Sequence, residues 1–173
     1  MIVLLLSACG DKSIGADDTA GAADVTPPDV VLNEFLARND AANADPAGEF
    51  DDWVELHNTG DSIVSLDGLY LTDDETIPTK FALDATAGID AGDWAVIWCD
   101  DQEEQGADHA GFKIGGASGF LGLYLAVDGG DPVAIDTITY EAQVPDVSMA
   151  RTPDGSVTWA SDATPTPRAS NGS

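Results

Sequence analysis

Positive charge is what this chain lacks most: six Lys and Arg stand against 32 Asp and Glu, for a formal net charge of -26. Affinity for nucleic acid comes mainly from Lys and Arg displacing counterions from phosphate, so DNA and RNA are excluded as partners. A carboxylate excess keeps a surface solvated and soluble in salt, and it also attracts divalent cations and basic partners. Imidazole and thiol are scarce as well, with two His and two Cys. That leaves no ligand set for zinc, and no G-x-S-x-G elbow accompanies His57 and His109 for nucleophilic catalysis. The Gly-rich KIGGASGF (113–120) does not end in Gly-Lys-Ser/Thr and has no helix after it, which excludes a phosphate cradle. Helical periodicity of any length is missing.

The two cysteines have unrelated contexts. Cys9 closes MIVLLLSAC, an apolar run too short to span a bilayer by itself. The Leu6-Ser7-Ala8-Cys9 sequence resembles a bacterial lipobox, in which small residues let a signal peptidase cut and the Cys carries the lipid. Gly10 rather than Asp follows, which by bacterial sorting rules favours the outer membrane. Cys99 lies in WAVIWC, where a buried free thiol behaves as a small hydrophobe; a Cys9–Cys99 disulfide is the alternative. Residues 1–8 are therefore expected to be a lipoprotein signal, and residues 9–28 the lipidated Cys with a flexible acidic linker ending in Pro27-Pro28. Such a linker has too little apolar surface to fold, and about 20 residues of it span a few tens of ångströms at most.

Residues 29–173 form the one folded domain that this length supports. Short apolar runs alternate with Gly, Asp, Asn and Pro, the pattern of an all-β sandwich. Eight strands are predicted: 30–37, 52–58, 68–73, 79–83, 94–99, 122–127, 133–140 and 146–152. NTGDS, DAGD, VDGGDP and TPDGS are turn chemistry, with Gly for positive φ and Asp or Asn to bond the local backbone.

Polar residues inside these strands are the candidate site. Period two places Trp53, Glu55 and His57 on one face of DWVELHN, and Val54, Leu56 and Asn58 on the other. Val54 and Leu56 belong to the core, so Glu55 and His57 are expected on an outer or rim face, His57 as a surface ring. Asn58 ends its strand as a turn former. Glu34 has apolar neighbours on both sides, and a carboxylate buried there needs a partner. Arg151 in SMARTP, with its planar fork, is the expected partner of Glu34 or Glu55. Glu34, Glu55, Asn58 and Arg151 are thus read as a structural polar network. The rival reading is a calcium ion held by Glu34, Asp52 and Asn58, since Ca²⁺ takes six to eight oxygens. The loop with Asp100, Asp101, Glu103 and Glu104, like LTDDE (71–75), lacks the ordered spacing of an EF-hand.

In order along the chain, LNEFLARN, DWVELHNTG, VSLDGLYLTDD, IDAGDWAVIWCDD, HAGFKI, SMARTPDG and TPRASN resemble the lamin tail domain, bacterial lipoprotein type. The resemblance covers everything outside the lipobox and spacer. It implies an immunoglobulin-like antiparallel β-sandwich (Greek-key) that serves as a non-enzymatic interaction module. In it, Val54 and Leu56 pack between sheets, Trp53 covers an edge, and Glu55 and Asn58 fix neighbouring backbone or Arg151. Arg168 replaces the usual Gly of the final turn, so another turn shape is expected there. IGGASGF departs from the family pattern before Leu121. The function expected is a binding or structural module at the bacterial cell envelope, lipid-anchored through Cys9, with an envelope protein or polysaccharide as partner. The alternative is a calcium-dependent surface adhesion module. A hydrolase would require Glu34, Glu55 and His57 to converge in a deep pocket.

Overall fold

The structure, a computed structural model, describes residues 25–172. The predicted signal, Cys9 and most of the linker lie outside the described residues. The strands are β1 (Val30–Leu36), β2 (Trp53–Asn58), β3 (Val64–Ser65), β4 (Leu69–Thr72), β5 (Phe81–Ala82), β6 (Gly88–Ile89), β7 (Trp94–Cys99), β8 (His109–Ala110), β9 (Gly119–Leu125), β10 (Val133–Tyr140), β11 (Ser148–Arg151) and β12 (Trp159–Asp162). All eight predicted strands form. β3, β6, β8 and β12 are additional; they have two to four residues each, too short for a period of two to register.

A six-stranded sheet, β12-β11-β1-β2-β7-β8, faces a four-stranded sheet, β10-β9-β4-β5, while β3 and β6 pair separately. Among the described residues pairing is antiparallel with one exception: β8 runs parallel to β7, with Trp98 opposite His109. The core lies between the sheets and joins Leu32, Phe35, Val54 and Leu56 of one to Leu71 and Leu123 of the other. Phe35 and Tyr140 close it with ring centroids 4.7 Å apart. The immunoglobulin-like sandwich is thus built as the apolar alternation requires.

β1 does not hold a strict alternation. The register slips between Leu32 and Glu34, the mark of a bulge that inserts one extra residue. Leu32 and Phe35 both reach the core as a result, and Asn33 and Glu34 are carried to the opposite face. That resolves how a carboxylate sits amid apolar neighbours. The outer face of the six-stranded sheet carries a second apolar cluster, Leu36, Trp53, Val96 and Trp98. Trp53 is fully buried on an interior strand, not a cover for an edge.

Candidate functional site

Glu34 and Glu55 stand directly opposite each other on β1 and β2, and both are fully buried. Like charges facing across strands repel, so this pair needs donors around it. The C-terminal segment 163–172 supplies most of them by crossing the outer face. Thr166 donates its backbone N–H to both Glu34 oxygens at 3.2 Å and its hydroxyl to Oε2 at 3.2 Å. Ser148 of β11 donates its hydroxyl to Oε1 at 2.5 Å. Glu55 accepts from Asn33 Nδ2 at 3.0 Å and from the Arg168 N–H at 2.5 Å. Burial nonetheless dominates. It pushes the Glu55 carboxyl up to about 8 against the lowering effect of those bonds, and raises Glu34 in the same direction.

Asn171 pins the end of this strap. Its Nδ2 donates to the carbonyls of Asn33 (3.3 Å) and Arg151 (2.9 Å), and its N–H donates to Asp154 Oδ1 at 3.1 Å. Asp154 also accepts from Asn33 Nδ2 at 2.9 Å. Gly155, at φ 67, turns its N–H onto Asn33 Oδ1 at 3.0 Å, and a Cβ there would meet Thr59 Cγ2 at 2.6 Å. The side chain at the bulge is therefore saturated from three directions. Arg168 takes up a left-handed conformation, φ 63, of the kind that Gly favours. The Arg bears the strain of that conformation. Arg168→Gly is expected to stabilise the domain by about 0.5–1 kcal/mol, the left-handed penalty less the entropy cost of glycine. Chemical denaturation measures the difference, and a loss of stability would show that the Arg168 side chain contributes more than its backbone costs.

Arg151 does not pair with Glu34 or Glu55. Its partner is Asp136 of β10, reached by Nη2 at 2.9 and 2.7 Å. The physical reason is the bulge. β11 pairs with β1 only at Glu34 and Phe35, so the Leu32 backbone needs other partners. Arg151 Nε donates to Leu32 O at 2.6 Å, and Asp136 Oδ2 accepts from Leu32 N at 2.9 Å. The guanidinium lies over the Trp159 ring, 4.7 Å from its centroid. Asn58 works elsewhere too: its Nδ2 donates to Ser62 O (2.8 Å) and Ile89 O (2.8 Å), and its Oδ1 accepts from Gly60 N at 2.9 Å. It is a turn former that also ties down the strand carrying Ile89.

His57 is not a surface ring. It sits on the outer face as expected, but that face is covered. The ring stacks on Trp94 at 5.1 Å, with Nδ1 3.1 Å from the Asp93 carbonyl. The predicted calcium trio does not assemble. Asp52 and Asn58 flank opposite ends of β2, about 20 Å apart at the usual rise per residue. Asp52 accepts from the Asn39 N–H at 3.0 Å, and burial raises its carboxyl to about 6. Among the described residues, a different group, Asp45, Glu49 and Asp51, brings carboxylate oxygens within 4.8 Å of one another. Asn33, Asp136 and Asp154 were missed by sequence reasoning. The usable signal was an acid or amide interrupting an apolar strand, as in VAIDTITY.

A family model described as Lamin Tail Domain matches residues 24–142. No match was found among the curated proteins or among the solved structures. The matched span ends before β11, so the strap that covers Glu34 and Glu55 lies beyond it.

Proposed function

This chain belongs to the lamin tail domain family, and from that premise we propose that it is an immunoglobulin-like binding or structural module displayed at a bacterial cell envelope on a lipid carried by Cys9, with no catalytic activity of its own. One observation supports the non-catalytic reading above all. Glu34 and Glu55, the two groups best suited to acid–base chemistry, are fully buried and bonded to strap and strand donors. A general acid or base must reach a substrate proton at hydrogen-bond distance, and here those positions are filled by the chain itself. The partner is an envelope protein or polysaccharide. At a net charge of -26, a basic surface or a bridging cation is the complementary chemistry, and binding to it weakens as salt rises.

The anchor rests on Leu6-Ser7-Ala8-Cys9. Expressed in a bacterial host and extracted with a phase-separating detergent, the chain is expected in the detergent phase, with Cys9→Ala moving it to the aqueous phase. An aqueous wild-type chain without a lipid mass on Cys9 would overturn the anchored reading and leave the module assignment in place.

A further inference from the structure

We propose that the loop joining β1 to β2 holds one divalent cation, calcium by its donor chemistry, between Asp45, Glu49 and Asp51. These residues are not the trio that the sequence suggested, and they do not overlap the carboxylates beneath the strap. Their ligand oxygens lie within 4.8 Å of one another, the spacing expected of groups that share an ion. A cluster of exposed acids would mean little, but Asp45 is only 7% exposed. Its Oδ1 accepts from the Glu49 N–H at 2.7 Å, while its Oδ2 is buried with no hydrogen-bond partner. Asp51 Oδ2, Asn43 Oδ1 and Gln105 Oε1 are buried and unpartnered in the same way. Gln105 is held at the cluster by Nε2, which donates to Glu49 Oε2 at 2.6 Å. Buried oxygens without donors are uncommon in folded proteins, and two of them belong to the cluster's own carboxylates, Asp45 and Asp51, where a cation would satisfy both.

Among the described residues no Lys or Arg forms an ion pair with Asp45, Glu49 or Asp51. The Lys and Arg ion pairs among the described residues engage Asp73 and Asp136. Burial and the charges of Asp100, Glu49 and Asp45 push the Asp51 carboxyl up, with Lys113 opposing. The loop is also pre-shaped. Asn39 Nδ2 bonds the carbonyls of Asn43 (2.5 Å) and Asp51 (2.8 Å), Asp146 Oδ1 accepts from the N–H groups of Asp40 (2.8 Å) and Ala41 (2.8 Å), and Asp45 N donates to Glu49 O at 2.9 Å. An all-oxygen set with no imidazole or thiol selects a hard cation, and carboxylates on an irregular loop suit the flexible coordination of calcium over magnesium, which demands a near-ideal octahedron.

The test uses the 173-residue chain stripped with EDTA, titrated calorimetrically with calcium chloride and, separately, magnesium chloride at equal ionic strength. One Ca²⁺ per chain is expected, with a Kd of about 10⁻⁴–10⁻³ M, the range of extracellular modules. At 100 times Kd the melting temperature is expected to rise by about 5 °C or more. Glu49 is exposed, so Glu49→Gln leaves folding intact and weakens binding by about tenfold, affinity in such loops following ligand charge count. Asp45→Asn with Asp51→Asn abolishes it, while Glu103→Gln with Glu104→Gln changes nothing. The proposal is overturned by no binding up to 10 mM (about ten times the weakest Kd expected), by an equal response to magnesium, or by calcium binding that survives the Asp45, Glu49 and Asp51 substitutions. Loss of the lipid in Cys9→Ala leaves calcium binding unchanged, so the two proposals fail separately.

Discussion

Between pH 5 and pH 9 the domain is expected to lose stability, by an amount on the order of a few kcal/mol. Most soluble proteins behave differently, because their paired carboxylates ionise more readily when folded and so lose stability as acid is added. Here burial raises Glu55 to about 8 and shifts Glu34 and Asp52 in the same direction. A carboxyl with a raised folded pKa binds its proton more tightly in the native state than in the unfolded chain. Its contribution is complete below the unfolded value, near 4.5, and disappears as pH passes through the folded one. Asp154 shifts the other way. Burial would raise it, but bonds from Ser170, Asn33 and Asn171 outweigh that and lower it, so its contribution is lost in acid, outside the window. Glu55→Gln carries no titrating proton and is expected to flatten most of the slope, at a cost of about 1 kcal/mol at pH 5 from the amide facing Asn33. Urea unfolding at pH 5, 7 and 9 measures both chains; a wild-type stability that rises across that range would refute the burial of these acids.

Replacing Arg151 with Ala is expected to cost about 3–5 kcal/mol, because it strands the partly buried Asp136 without its counter-charge. The loss goes beyond one ion pair. Arg151 also satisfies the Leu32 carbonyl at the bulge and covers the Trp159 ring. Arg151→Lys is expected to recover little. A single ammonium cannot reach Leu32 O, the Ser156 carbonyl and both Asp136 oxygens together. A double-mutant cycle with Asp136→Asn separates the pair from the packing. Coupling below about 0.5 kcal/mol would mean that the two side chains act independently.

The sandwich was legible because its signals are local. Val54 and Leu56 alternate with outward residues, and Gly155 sits in turn chemistry that any strand–turn reading recognises. What covers the outward residues was not legible. Glu55 and His57 were placed on the correct face, yet nothing near them in sequence reveals that Thr166, Arg168 and Asn171, more than 100 positions on, return to bury that face. The partner of Arg151 was missed for a related reason. A bulge at Asn33 rephases β1 and opens the Leu32 backbone to a third strand, and a one-residue slip leaves no compositional trace. Glu34 was singled out as anomalous, and the structure places it at the centre of the strap's docking site. Its donors are two hydroxyls and a backbone amide, groups too common in the sequence to stand out. The cluster at Asp45 was hidden by having neither the spacing of a known loop nor a histidine to flag it.

The polar residues of the outer sheet face are the fold's own closure, sealed by the C-terminal strap. The measurement that bears on this most directly is the carboxyl titration of Glu55 in the intact chain, followed by carbon NMR of the labelled side chain. A pKa near 8 is the result predicted, with the same group falling back toward the usual carboxyl range when the chain ends at Asp162. An intact-chain value near about 4.5, the range of a solvated glutamate, would mean that the strap does not bury Glu55, and the central claim would be wrong.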